Sequence, residues 1–261
     1  SGGKVVMGSP RRESGRRANE GQREVSLRRP FYLARKEVSN GEFRQFLANH
    51  TSEPFRGNEL NSDEQPVANV GWVTAVTYCN WLSRRDGLAP FYQIKFGEVL
   101  GVNPDSTGYR LPTEAEWEWA ARKSAPSETR IFPWGNEYPP SGRSGPSGNY
   151  ADSTAASIMG DTIASYTDGF IVASPVGSFP PSLSGLYDTG GNVAEWVHDY
   201  YDASPSNVST VDPLGPLAGA QHVIKGSSWA HGTVTQLRFA FRDFSDRKRD
   251  DVGFRLARYA Q

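Results

Sequence analysis

The first stretch of periodic apolar residues lies near residue 40. Ser39 can cap a helix there, and Glu42 three residues later completes a capping box. Phe43, Phe46 and Leu47 then fall on one face of the helix. The pattern predicts a short amphipathic helix that packs its apolar face against the core.

A second helix is predicted after Gly71-Trp72, and Gly87 supplies its stop signal. The positions that share its inward face are Ala75, Val76, Cys79 and Leu82. This spacing favours Cys79 as a small core residue over a nucleophile.

A third helix is predicted to begin after Thr113, which is its N-cap. Glu116 closes a second capping box, and Trp117, Ala120 and Ala121 face inward. Both capping boxes use the same local chemistry, so both helix starts are fixed by short-range sequence.

After residue 122 the pattern becomes irregular. Residues 123–185 are rich in Gly, Pro, Ser and Asp and have no sustained period. Short strand-like runs return at 221–225, 237–241 and 253–258. No internal repeat or compositional break marks a linker, so we expect one α+β domain over residues 1–261.

Composition narrows the class of protein. Lys+Arg is 28 and Asp+Glu is 29, so the net charge of −1 provides no broad positive field for nucleic acid. No apolar run is long enough for a transmembrane helix. A single cysteine excludes an internal disulfide framework and cysteine-rich metal sites. The 27 glycines and 18 prolines predict a loop-rich chain.

The N-terminal segment, residues 1–30, is rich in arginine. Its basic residues are Lys4, Arg11, Arg12, Arg16, Arg17, Arg23, Arg28 and Arg29. One interpretation is an anion-binding arm. We favour the other, a solvated segment that packs on or flanks the domain and pairs with acidic groups elsewhere.

Ordered motifs run through the chain from about residue 5 to 258. They are Met7-Gly8-Ser9, Glu37-Val38-Ser39-Asn40, Pro66-Val67-Ala68-Asn69-Val70, Tyr78-Cys79-Asn80-Trp81-Leu82, Arg110-Leu111-Pro112-Thr113-Glu114-Ala115-Glu116-Trp117-Glu118, Pro133-Trp134-Gly135, Gly185-Leu186-Tyr187-Asp188, Gly191-Asn192-Val193-Ala194-Glu195-Trp196, Lys225-Gly226-Ser227-Ser228-Trp229 and Gly253-Phe254-Arg255. The series resembles the formylglycine-generating-enzyme, or sulfatase-modifying-factor, domain family. The resemblance implies a loop-rich α+β domain that is a variant of the C-type lectin fold.

The family's functions are diverse, so the fold does not fix the activity. Members include the copper-dependent oxidase that converts a sulfatase cysteine into formylglycine. Others act in ergothioneine (thiol-histidine) synthesis or siderophore maturation, and many are binding modules.

The resemblance implies that the oxidase places two cysteines after the residues that match Gly226-Ser227-Ser228. Together these cysteines hold copper(I), a soft ion suited to thiolates. Residues 229–237 of this sequence contain no cysteine, and the hydroxyls of Thr233 and Thr235 cannot replace a thiolate pair. We therefore expect neither formylglycine-generating activity nor bound copper.

The family's cleft implies a set of candidate residues here. They are Trp134, Ser228, Trp229, His231, Arg238 and Arg242. His231 is either a hydrogen-bonding or proton-carrying residue of the cleft or a loop histidine with a surface partner.

The two arginines of this set, Arg238 and Arg242, could bind a carboxylate or sulfate. We favour the alternative, internal ion pairs. The expected partners are Asp243, Asp246, Asp250 and Asp251.

Two structural calcium sites are also implied by the resemblance. The first takes the side chains of Asn149 and Asp168 and the carbonyl oxygens of Tyr150 and Phe170. The second takes the side chains of Asp188 and Glu195 and the carbonyl oxygens of Gly191 and Val193. Calcium prefers six to eight hard oxygens in flexible geometry, and the ion would order the irregular segment. The alternative is that Asp168 and Asp188 are ordinary turn residues and that Glu195 pairs with an arginine.

The sequence thus favours a binding or regulatory module over an enzyme, with an unidentified protein or small molecule as its ligand. The alternative is an oxidoreductase of the same family that uses His231, Arg238 and a different metal or cofactor. The sequon Asn207-Val208-Ser209 and the calcium sites favour an extracytoplasmic location, periplasmic or secreted, within a larger multidomain protein.

Overall fold

The computed structural model describes residues 3–125, 128–140, 145–206 and 208–260. Within them the helices are α1 (Asn40–Arg44), α2 (Trp72–Arg85) and α3 (Glu114–Arg122), with a single 3-10 turn at Ser153–Ala155. The strands are β1 (Lys4–Met7), β2 (Arg23–Ser26), β3 (Phe31–Leu33), β4 (Tyr92–Lys95), β5 (Glu98–Val102), β6 (Lys123–Ala125), β7 (Glu128–Thr129), β8 (Ala194–Tyr200), β9 (His222–Lys225), β10 (Arg242–Ser245), β11 (Val252–Gly253) and β12 (Ala257–Tyr259). The predicted mixture of few helices, short strands and long loops is confirmed.

Both predicted capping boxes are present. The Ser39 hydroxyl accepts from the Glu42 backbone N–H, and the Glu42 carboxylate accepts from the Ser39 N–H. Thr113 and Glu116 repeat the arrangement at the start of α3. These pairs satisfy N–H groups that a helix start leaves without partners.

The largest sheet has the strand order β10-β9-β8-β11. Strand β9 pairs antiparallel with both β10 and β8, with Trp196 of β8 opposite Ile224 of β9, whereas β11 runs parallel to β8. The other described sheets are two-stranded: β1-β2, β3-β12, β4-β5 and β6-β7. Short strands and small sheets leave much of the backbone in loops.

The main core lies between α2 and this sheet. Cys79 is fully buried on α2, as its spacing predicts. The Trp72 indole N–H donates to the Val197 carbonyl, and the Trp196 indole N–H donates to the Val70 carbonyl, both at 2.8 Å. Each tryptophan therefore buries its ring and also satisfies its polar group, which ties the helix to β8.

The predicted strand at 237–241 is wrong in position. This segment forms turns, and the strand begins at Arg242. The Phe241 N–H donates back to the Arg238 carbonyl, and the Phe239 N–H donates to the Ile131 carbonyl. The side chain of Arg238 is buried against acidic residues. These contacts and the turn hydrogen bonds take the place of the strand pairing that the apolar neighbours of Arg238 predict.

The N-terminal segment contacts α3 through its first hairpin. Met7, Val25 and Leu27 are buried beside Ala115. The Glu118 carboxylate accepts from the Gly8 N–H at 2.9 Å. Among the described residues no helix is both long enough and apolar enough to span a bilayer.

Candidate functional site

The residues predicted for the first calcium site lie together in two adjoining loops. The Asp168 carboxylate accepts backbone N–H groups of Tyr150 and Phe170, each at 2.8 Å. The Asn149 amide donates to the Val172 carbonyl at 2.9 Å. The two loops are thus held by the same side chains that were predicted to bind the ion.

Two features of this site fit a hard cation. The Asn149 Oδ1 atom is buried and has no hydrogen-bond partner among the described residues. Burial raises the pKa of Asp168 to about 7, and no arginine or lysine in the described chain pairs with it. A bound calcium ion would coordinate the first oxygen and neutralise the second group.

The second predicted site adjoins the first. Asp188 lies in the left-handed region with φ of 52°, and its Oδ2 accepts the Gly177 N–H at 2.6 Å. Its Oδ1 is buried without a partner among the described residues. Burial raises the pKa of Asp188 to about 6. The free oxygen fits a cation ligand.

Glu195 has partners of its own within the protein. Its carboxylate accepts from Arg255 Nη2 at 2.6 Å and Nε at 2.7 Å, and from the Trp117 indole N–H at 2.8 Å. This is the arginine pairing that the sequence left open. Two of the donors share Oε2, so Oε1 retains a lone pair that could still reach a metal ion. The fit at this site is therefore weaker than at the first.

The candidate cleft residues Ser228 and His231 are buried. The Ser228 hydroxyl donates to Asp251 Oδ2 at 2.9 Å, and its backbone N–H donates to His231 Nδ1 at 3.1 Å. Burial lowers the pKa of His231, which favours the neutral ring. The serine hydroxyl contacts the aspartate rather than the imidazole, so the trio lacks the nucleophile–base contact of a catalytic triad.

The two candidate tryptophans lie in different surroundings. Trp229 is buried with its ring 5.0 Å from Phe55, and its indole N–H has no partner among the described residues. Trp134 is half-buried and stacks on Phe132 at 5.0 Å. It lines a cavity of about 350 Å³ together with several prolines and with Asp188.

Arg238 and Arg242 both form internal ion pairs, with glutamates rather than the expected aspartates. Arg238 contacts Glu20 through two hydrogen bonds of 2.7 Å and Glu13 through one of 2.9 Å. Arg242 contacts Glu114 at 2.6 and 3.0 Å. Both guanidinium groups are therefore engaged inside the fold, although the buried Nε of Arg238 has no partner among the described residues.

Comparison with known proteins identifies the family. Residues 1–260 match the Sulfatase-modifying factor enzyme 1-like domain. The chain belongs to this family. The predicted resemblance is confirmed.

The chain is similar in sequence or structure to several members of this family. The formylglycine-generating enzyme of Bos taurus is 33% identical over 256 residues, which cover 87% of this chain and 65% of that protein. Inactive C-alpha-formylglycine-generating enzyme 2 of Mus musculus is 29% identical over 284 residues, covering 98% and 83%. The solved structure of PvdO from Pseudomonas aeruginosa superposes with a TM-score of 0.74 at 27% identity, covering 99% of this chain and 92% of that one. The chain spans 44% to 65% of the length of the first formylglycine-generating enzymes that it matches.

One buried residue near the family's motifs received no role from the sequence. Glu37 accepts the Val193 N–H at 3.1 Å and the Asn192 amide at 2.8 Å. Burial, with the nearby carboxylates of Asp188 and Glu195, raises the pKa of Glu37 well above its usual range. The motif Glu37-Val38-Ser39-Asn40 contains it, but only the fold brings it beside the second site.

Proposed function

We propose that this domain is a non-catalytic binding or regulatory member of its family and not a formylglycine-generating oxidase. The observation that carries the proposal is the cysteine content of the chain. Cys79 is the sole cysteine in the sequence, and it lies fully buried on α2. Burial raises the pKa of its thiol, which disfavours the thiolate that would be needed for copper(I).

The segment where the resemblance expects the cysteine pair supports the same proposal. His231 stands there as a buried hydrogen-bond acceptor, and its carbonyl accepts the Ala151 N–H at 3.0 Å. Gly232 is packed so closely that an added Cβ would lie 2.3 Å from the Asp161 carbonyl oxygen. The segment is therefore filled with structural contacts.

We further propose a structural calcium ion at the first site. Asn149 and Asp168 would supply side-chain oxygens, and Tyr150 and Phe170 would supply carbonyl oxygens. The ion would provide positive charge that no described side chain offers to Asp168. Its role would be to fix two long loops rather than to carry out chemistry.

A second calcium ion is proposed at Asp188, Gly191, Val193 and Glu195. The Asp188 Oδ1 atom, which is buried with no partner in the described part of the chain, supports it. The engagement of Glu195 with Arg255 makes this the weaker of the two sites. Metal stoichiometry distinguishes one ion from two.

The setting of the domain is proposed as extracytoplasmic and within a larger protein. Structural calcium suits that setting, and the formylglycine-generating relatives are longer than this chain. The sequon at Asn207, which also motivated this expectation, lies outside the described residues.

An assay for formylglycine-generating activity tests the proposal. Purified protein is incubated with copper(I), oxygen and a cysteine-containing sulfatase peptide, with the Bos taurus enzyme as positive control. We expect no loss of the peptide thiol with this protein. Turnover would overturn the proposal, and so would stoichiometric copper or iron in the purified protein, which would favour the oxidoreductase alternative.

A further inference from the structure

A compact basic loop lies at the surface between β1 and β2. We define it as residues 10–18, which contain Arg11, Arg12, Arg16 and Arg17. Arg11, Arg12 and Arg17 are exposed, and Arg16 is half-buried. Because the whole chain has a net charge of −1, this loop is a local concentration of positive charge and not part of a general field.

The basic loop is held in one conformation by the protein. The Glu13 and Arg16 N–H groups close successive turns onto the carbonyls of Pro10 and Glu13. The Arg16 side chain donates to the Ser9 carbonyl at 3.1 Å. Gly15 has φ of 77°, and an added Cβ would lie 3.0 Å from the backbone of Thr235. The arginines are therefore presented from a packed turn.

The acidic residues within the basic loop and just after it in sequence do not neutralise its surface. Glu13 and Glu20 both point to the buried guanidinium of Arg238. Glu20 also accepts the Ser9 hydroxyl at 2.8 Å. These carboxylates are engaged inside the fold, and the loop arginines outnumber them.

Three arginines remain for a partner. Arg11, Arg12 and Arg17 form no ion pair with any residue in the described ranges. Arg17 lies over the Phe241 ring at 5.6 Å, which restrains its side chain without consuming its charge. The expectation that this segment pairs with acidic surface elsewhere is therefore not met at these positions.

We propose that the basic loop docks a run of carboxylates on a partner protein. Arginine forks recognise carboxylates through paired hydrogen bonds, and several in one loop favour a short acidic stretch. The exposed neighbours Pro10, Ser14 and Ala18 provide no bulky apolar anchor for a bilayer. The overall charge does not favour tracking along a nucleic-acid backbone. The inference rests on the proposed role as a binding module and names the chemistry of its partner.

Labelled hexaglutamate is the probe, with hexaglutamine as the uncharged control, and binding is followed by fluorescence anisotropy at low and high salt. The loop variant combines R11Q, R12Q and R17Q. The matched control combines R84Q, K95Q and K248Q, which removes the same charge from exposed positions elsewhere. Thermal melting of both variants establishes that they fold.

We expect the wild-type protein to bind hexaglutamate in a salt-sensitive manner and the loop variant to bind about tenfold more weakly or worse. The control variant should stay within about twofold of wild type. Equal losses in both variants would overturn the proposal, and so would binding of heparin fragments or phosphatidylserine vesicles without binding of hexaglutamate. The oxidase assay above is independent, so turnover there would refute the proposed function without altering these binding results.

Discussion

The backbone N–H of Asn192 donates to the carbonyl oxygen of Asn149 at 2.9 Å. This bond joins the loop of the first proposed calcium site to the loop of the second. Gly191 lies at the same contact, and each loop contains a buried side-chain oxygen that has no partner among the residues described. A cation bound to one loop should therefore stabilise the other as well.

Removing calcium should destabilise the protein. We expect a chelator to lower the melting temperature by about 5 °C or more, and added calcium to restore it, because saturating a site adds about 2–3 kcal/mol to the free energy of unfolding. D168N should abolish most of this response. D105N, which changes an exposed carboxyl group outside the sites, should retain it. Differential scanning calorimetry provides the measurement, and an unchanged melting temperature in chelator would eliminate the structural-calcium proposal.

Gly191 should tolerate no side chain. Its φ is 94°, and an added Cβ would lie 2.4 Å from the Asn149 carbonyl oxygen. We expect G191A to lower the free energy of unfolding by about 3 kcal/mol or more. Gly185 is the matched control because it has φ of 80° but open space around it.

The control variant G185A should cost only the backbone strain, about 1–2 kcal/mol. Urea titration of the two variants separates the steric contact from the strain. Equal losses in both would mean that the close approach between the two loops is unimportant.

Local sequence predicts the parts of the fold that depend on local chemistry. The capping boxes at Ser39 and Thr113 and the buried face of α2 are all where the pattern places them. The strand predicted at 237–241 is wrong because the contacts of Arg238 come from residues more than 200 positions away. Periodicity carries no information about such a partner.

The candidate site also combines features that the sequence predicts with features that depend on long-range contacts. The resemblance assigns Asn149 and Asp168 to one site, and in the structure their loops are joined by the Tyr150 N–H that donates to the Asp168 carboxylate. The buried position of Glu37 beside the second site, and the pairing of Arg242 with Glu114, depend on long-range packing. Residue type alone could not distinguish an arginine open to ligand from one already paired inside the protein.

Two neutral histidines should make the protein sensitive to acid. Burial lowers the pKa of His198 to about 3 and that of His222 to about 4. His222 is stacked on Trp72 at 3.6 Å and on Tyr200 at 4.2 Å. The unfolded chain, in which histidine titrates near pH 6.5, binds these protons more readily than the folded protein.

The contribution of these two histidines to stability should therefore be complete above about pH 6.5 and be lost as the pH drops toward 4. The loss from His222 by pH 4.5 should be of order 2 kcal/mol. H222F keeps an aromatic ring in the stack and removes the titration. Its stability curve should be flatter than that of wild type between pH 7 and 4.5, and parallel curves would show that His222 does not contribute.

Arg238 should matter for stability rather than for ligand binding. Its buried guanidinium faces Glu20 and Glu13, so R238M leaves carboxylates buried without a counter-charge. We expect the variant to lose about 3–5 kcal/mol of unfolding free energy. R247M removes an arginine that is 86% exposed and should cost at most about 1 kcal/mol. In the double variant R238M/E20M one stranded charge is gone, so its stability should be no lower than that of R238M. If R238M unfolds at the wild-type urea concentration, the ion pair is not structural and Arg238 returns to the set of ligand-binding candidates.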